Sequence, residues 1–147
     1  MPQIHEIDVD EYLYDSVRIE PLALEEEYVR MPMDLAYWNQ RYSDAVREFL
    51  TAKVAREKTL AYLYIKCRED LIASHAKPTE KMVDAAVAQS DELDQAHARV
   101  IDAEVEKSRL GGVVEAVRSK RDMLISLGAH IRAEFQREPS IKQPERK

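Results

Sequence analysis

The 147-residue chain is poor in the residues that staple or punctuate a fold: one cysteine, three glycines and six prolines. A lone Cys67 excludes an internal disulfide, and its place in a helical apolar pattern predicts a small buried hydrophobe rather than a reactive thiol. A reducing, cytoplasm-like compartment is the natural context. So few glycines and prolines argue against a sheet-rich fold with many tight turns. No apolar run approaches the roughly 20 residues that cross a bilayer, so no membrane span is expected. The opening MPQIHEIDVDEY is acidic and lacks the basic and apolar regions of a signal peptide.

Catalytic and metal-binding patterns are missing too. There is no glycine-rich phosphate loop and no pair of cysteines or histidines at metal spacing. His5, His75, His97 and His130 are scattered. The serines carry no nucleophile-elbow motif. The residue set therefore predicts no enzyme, no metal and no cofactor.

What the chain has in quantity is alanine, leucine, glutamate, lysine and arginine, all good helix formers. With 45% hydrophobic and 34% charged residues, the apolar stripes are narrow. An all-α fold is expected: two long helices in an antiparallel hairpin with short connecting helices, assembling through coiled-coil-like packing into a homo-oligomer. The long second helix carries the clearest signal. From Asp91 to Phe135, spacings of three and four trace Leu93, Ala96, Val100, Ala103, Lys107, Leu110, Val114, Val117, Arg121, Leu124, Gly128, Ile131 and Phe135. A seam near 3.5 residues marks a helix packed lengthwise on others. At about 1.5 Å per residue it reaches roughly 65 Å, long for a compact monomer of this size. Leu110, Val114, Val117, Leu124, Ile131 and Phe135 are its candidate oligomerisation positions. Gly111-Gly112 interrupts the seam at a cost of roughly 2 kcal/mol against alanines. A continuous or mildly kinked helix is expected there.

The remaining segments follow from turn and cap chemistry. Residues 1–20 alternate weakly and hold many acids, which suggests an extended arm or a frayed terminus. Pro21 to Met31 reads as a short helix ended by Pro32. Residues 34–74 read as the first long helix, capped by Asp34. His75 to Thr79 reverse the chain, and Thr79 caps a short helix to about Val87. Ser90 caps the long helix. Residues 21–135 then form one helical domain, followed by a flexible basic tail over 136–147.

Charge is divided along the chain. Residues 1–34 carry ten acidic and two basic side chains, 35–77 five and eight, 78–110 eight and four, and 111–147 five and eight. An overall charge of -6 does not exclude nucleic acid, because binding depends on where cations cluster. Two basic clusters stand out. The first is Lys53, Arg56, Lys58, Lys66 and Arg68, with Tyr62 and Tyr64 interleaved. Cations along the backbone and flat rings for stacking are what single-stranded nucleic acid requires. The plainer reading is a solvated helix face, with Tyr64 on the apolar stripe as core. The second is Arg118, Lys120, Arg121 and Arg132. Arg121 falls in the seam, where a buried charge needs a partner.

Two stretches carry a family resemblance: LAYWNQRYSDAVREFLTAKVAREKTLAYLYIKCRED (Leu35 to Asp70), and the region from Lys77 to Phe135 with its KPTEKMVDAAVAQSDELDQA connector and closing RLGGVVEAVRSKRDMLISLGAHIRAEF. Over about residues 16–135 the chain resembles the phage recombination mediators of the UvsY kind. The resemblance implies a helical, ring-like homo-oligomer, hexamer- or heptamer-like, that binds single-stranded DNA. It implies a role in loading a RecA-class recombinase onto DNA coated by single-strand-binding protein, in the host cytoplasm if the chain is phage-encoded. It further implies assembly through the C-terminal helix and DNA contact through basic residues of the first long helix, here Lys53, Arg56, Lys58, Lys66 and Arg68, with Arg118, Lys120 and Arg121 secondary. The closest register sets Ala61 and Leu63 where the family has a Lys-x-Arg pair; Lys66 and Arg68 form such a pair one turn later. Periodicity alone serves equally a coiled-coil structural or assembly protein of a phage with no DNA role, or a helical adaptor that sequesters another protein.

Overall fold

The computed structural model describes residues 9–74 and 77–137. Residues 1–8, His75, Ala76 and 138–147 lie outside the described residues; of the tail expected over 136–147, Gln136 and Arg137 belong to the last helix. Among those described there are no strands. The elements are α1 (Val9–Val17), a single 3-10 turn (Pro21–Ala23), α2 (Leu24–Ala73), α3 (Glu80–Ala88) and α4 (Asp91–Arg137). The two long helices pack together, as the composition and the seam imply. No helix among the described residues is long and apolar enough to cross a membrane.

Three features differ from expectation. Pro32 does not end a helix: α2 runs through it, unbroken from Leu24 to Ala73. A helix-interior proline removes the donor to the Tyr28 carbonyl, a local cost of about 3 kcal/mol. Buried Met31 and Trp38 on either side hold the helix in register and outweigh it. Asp34 is therefore no cap; it is a buried carboxylate in mid-helix. Part of the supposed arm is helix α1. The connector follows its sequence more closely: Thr79 caps α3, its hydroxyl oxygen accepting from the Met82 N–H at 3.4 Å.

The chain forms two compact units. The first comprises residues up to 38 and those from 113 onward. Its core holds Met31, Trp38, Val113, Val114, Val117 and Leu124. Tyr12 fixes α1 in place. Its ring stacks on Trp38 at 5.8 Å and meets Tyr37 edge-on at 4.8 Å. Its hydroxyl donates to Asp34 Oδ1 at 2.8 Å, and Arg30 bridges to the same carboxylate at 3.2 Å. Burial, then the Asp34 hydrogen bond, raises the Tyr12 phenol above its ordinary value. The Ser16 hydroxyl, also buried, donates to the Tyr12 carbonyl one turn back. Farther along, the Tyr28 hydroxyl donates to the Leu124 carbonyl.

The second unit comprises residues 39–112. Here α2 and α4 run antiparallel, with Tyr42 beside Gly111, Phe49 beneath Lys107, and Lys66 paired with Glu92. Leu63, Val83, Val87 and Leu93 form the core where α3 joins the pair; Tyr64, Cys67 and Leu71 pack half-buried against it. Cys67 thus fills space as expected, and Tyr64 is core.

Gly111 and Gly112 leave α4 continuous, and they do different work. A Cβ on Gly111 would sit 3.3 Å from the Tyr42 ring, whereas one on Gly112 meets nothing within 4 Å. Gly112→Ala is expected to stabilise the chain by up to about 1 kcal/mol through helix propensity. Gly111→Ala recovers less, because Tyr42 must give way. Gly128→Ala destabilises, since its Cβ would run into the Tyr28 hydroxyl. Urea denaturation of the three variants checks this order.

Candidate nucleic-acid interface

The five cations of the first cluster lie on one helix but not on one surface. At about 100° per residue, α2 turns them to three directions. Lys53 and Arg56 lie half-buried along the side that faces α4. The Lys53 ammonium is 5.5 Å from the Phe49 ring, and Lys107 of α4 stands 3.9 Å from the same ring. These two lysines are spent on packing and cation–π contact.

Lys58, Tyr62 and Lys66 follow one another at intervals of four, and all are exposed. Residues four apart on a helix are neighbours, so the three make one edge: cation, ring, cation. Tyr62 is 56% exposed, with no core to serve. The Lys66 ammonium lies 5.7 Å from its ring and 3.3 Å from a Glu92 oxygen. The hydrogen bond to Glu92, with that carboxylate's charge, raises the Lys66 ammonium above its ordinary value, so it stays charged. The ring thus stands exposed beside a positioned cation. Arg68 points elsewhere, into a shallow cleft lined by Tyr64, Pro78, Thr79, Glu80 and Val83.

The second cluster changes more. Lys120 is out of a ligand's reach: its side chain is 1% exposed, its ammonium 2.6 Å from Glu27 Oε2 and 3.5 Å from the Asp15 carbonyl. The other Glu27 oxygen accepts from the Glu20 N–H at 3.1 Å. This corrects its assignment as a DNA contact. Arg121, placed in the seam by spacing, is exposed and pairs with Asp122 at 2.9 Å. The buried line of α4 in this unit is Val113, Val117, Lys120, Leu124, one residue earlier than the seam predicted at its basic position. Lys120 turns inward here because the Glu27 carboxylate and the Asp15 carbonyl receive its ammonium on that side of α4, a contact that spacing within α4 alone does not show. Arg118 is exposed and paired with Glu115 at 2.6 Å; Arg132 is exposed.

The candidate oligomerisation residues divide likewise. Leu110, Val114, Val117 and Leu124 are buried within the single chain and build its own core. Ile131 is half-buried, and Phe135 is 71% exposed.

A polar groove in the second unit runs between Arg41, Asp44, Arg47, Glu48 and Glu106. Its charges answer one another: Arg47 pairs with Asp44 at 3.4 Å, and Arg109 grips both Glu106 oxygens at 2.9 Å, holding that carboxyl below its ordinary value. No nucleophile stands among them. Among the described residues no cluster of histidine, cysteine and carboxylate side chains is placed to hold a metal ion. His97 and His130 are exposed, the latter beside Glu134; His5 and His75 lie outside the described residues.

Sequence reasoning missed the Tyr12–Asp34–Arg30 cluster, in which Tyr12 comes from 22 residues away, and the Lys120–Glu27 pair, made by residues distant in sequence. An acid-rich segment opposite an apolar-flanked lysine was the one signal for the second. No protein-family model, curated protein or solved structure matches this chain.

Proposed function

We propose that the protein is a single-stranded DNA-binding recombination mediator. It takes a strand along the Lys58–Tyr62–Lys66 edge of α2 and, as a homo-oligomer, presents many such edges together. In that form it assists a RecA-class recombinase in displacing single-strand-binding protein from the strand. One observation carries the reading: an exposed tyrosine ring flanked one turn on either side by exposed lysines. Every base has a π-face that can stack on such a ring, and the lysines draw the phosphates. The resemblance of residues 16–135 to the UvsY-type mediators supplies the recombinase and the host cytoplasm as context. One edge offers two cations and binds weakly; repetition in a ring, hexamer- or heptamer-like, adds avidity without a new contact.

Fluorescence anisotropy with a labelled oligothymidylate and with a duplex of equal length tests the proposal. The intact protein is expected to bind the single strand preferentially, because paired bases cannot stack on Tyr62. Absence of binding at low salt, or equal affinity for the duplex, would contradict it.

A further inference from the structure

Tyr62 and its two lysines all belong to α2, yet the ring stands beside the furrow between α2 and α4. The Lys66–Glu92 pair fixes which side of α4 borders that furrow. Together with Lys107 over Phe49, it also fixes the antiparallel register of the two helices. A step of seven residues is about 20° short of two whole turns, so it returns to nearly the same side of a helix. Seven residues back along α2 from Lys66 stands Thr59. Seven residues forward along α4 from Glu92 stands Arg99. Because the helices are antiparallel, both steps lead the same way. Arg99 is therefore opposite Thr59 across the furrow, as Glu92 is opposite Lys66. Thr59 is next to Lys58 in the chain and one turn before Tyr62.

Arg99 is exposed, and its opposite number is a half-buried threonine rather than an acid. From Gln95 to Ala103 on its own helix the one carboxylate is Asp102. Among the described residues none lies within ion-pair distance of the Arg99 guanidinium. The acids of α2 are placed away from it. Glu57 is turned about 100° round the helix from Lys58, on the side farther from the furrow, and Glu69 and Asp70 lie beyond Lys66. Lys66 already shares its charge with Glu92, whereas the charge of Arg99 is unshared.

A nucleotide stacked on Tyr62 has a phosphate on each side of it. The lysines one turn before and one turn after the ring lie along α2, and the cation across the furrow is Arg99. We propose that Arg99 of α4 is a further contact to the strand, binding a phosphate next to the base that stacks on Tyr62. The site then spans both long helices of the second unit. A guanidinium suits the task, because its planar fork holds two phosphate oxygens at once. The proposal rests on the DNA-binding reading and adds to it a residue from another helix.

Fluorescence anisotropy with oligothymidylate over a series of salt concentrations tests it, with circular dichroism to confirm helix content. Four full-length proteins are compared: wild type, Arg99→Gln, Arg99→Lys and Arg118→Gln. Arg118 is the control, an exposed arginine held by Glu115 at 2.6 Å. Arg99→Gln is expected to weaken binding at low salt. It should also lower the slope of log affinity against log salt by about 0.7 for each Arg99 that the strand engages. Arg99→Lys keeps its charge and should keep the wild-type slope, and Arg118→Gln should match the wild type. Where the wild type binds, an unchanged slope in Arg99→Gln, a lowered one in Arg99→Lys or an equal loss in Arg118→Gln would overturn this contact alone. A wild type that binds no single strand at low salt would overturn the DNA-binding reading and this contact with it.

Discussion

Lys120→Ala is expected to destabilise the protein by about 3–5 kcal/mol, the range for removing one partner of a buried ion pair. The ammonium sits against Glu27, itself only 12% exposed at its side chain. Removing the lysine leaves that largely buried carboxylate without its counter-charge. The partner pair is as important as the size of the loss. Replacing both residues together, as Lys120→Met with Glu27→Leu, is expected to cost far less than Lys120→Ala, because no uncompensated charge remains. Urea unfolding followed by circular dichroism gives both values. A loss below about 1 kcal/mol for Lys120→Ala would mean that the pair is solvated, as surface pairs are.

Tyr62→Ala is expected to weaken binding to single-stranded DNA by roughly 5- to 150-fold, the equivalent of about 1–3 kcal/mol of base stacking. Stability should barely move, since the ring is exposed and packs against no core. Tyr64→Ala, two residues on, should do the reverse. Tyr64 is half-buried against Leu63, Val83, Val87 and Leu93, so its loss opens the core and leaves DNA affinity nearly unchanged in the folded fraction. Lys58→Ala and Lys66→Ala should each lower the salt dependence of binding by about one phosphate contact. Lys53→Ala and Arg56→Ala should leave that slope in place, because both side chains lie half-buried toward α4. The contrast between adjacent residues separates a binding edge from a general loss of positive charge.

Much of the fold was legible because helix signals are local. Helix-forming composition, the Thr79 cap and the three-and-four spacing of α4 each act within a turn or two, and each led to the observed element. Pro32 misled for the same reason. Its cost is local and real, but the packing of Met31 and Trp38 decides the helix from outside the local window. Asp34 looks like a cap in sequence, and only the arrival of Tyr12 from 22 residues away shows why a carboxylate is buried there. Lys120 and Arg121 are adjacent, and it is Glu27 and Asp15, far away in sequence, that decide which of the two turns inward. The candidate interface was legible only as a list of residue types. Spacing of four among Lys58, Tyr62 and Lys66 was present in the sequence, and the apolar stripe already set Tyr64 apart as core, yet burial was needed to show Tyr62 exposed and Lys53 and Arg56 half-buried.

Trp38 is wholly buried, so a second tryptophan would report separately on its own surroundings. The most direct test of the central claim is therefore the fluorescence of Tyr62→Trp during titration with oligothymidylate. Stacking of bases on residue 62 predicts quenching that saturates in step with anisotropy and reverses as salt is added, because phosphate contacts release counterions. Saturating anisotropy with unchanged tryptophan emission would show that the strand binds elsewhere, and would contradict the assignment of this edge.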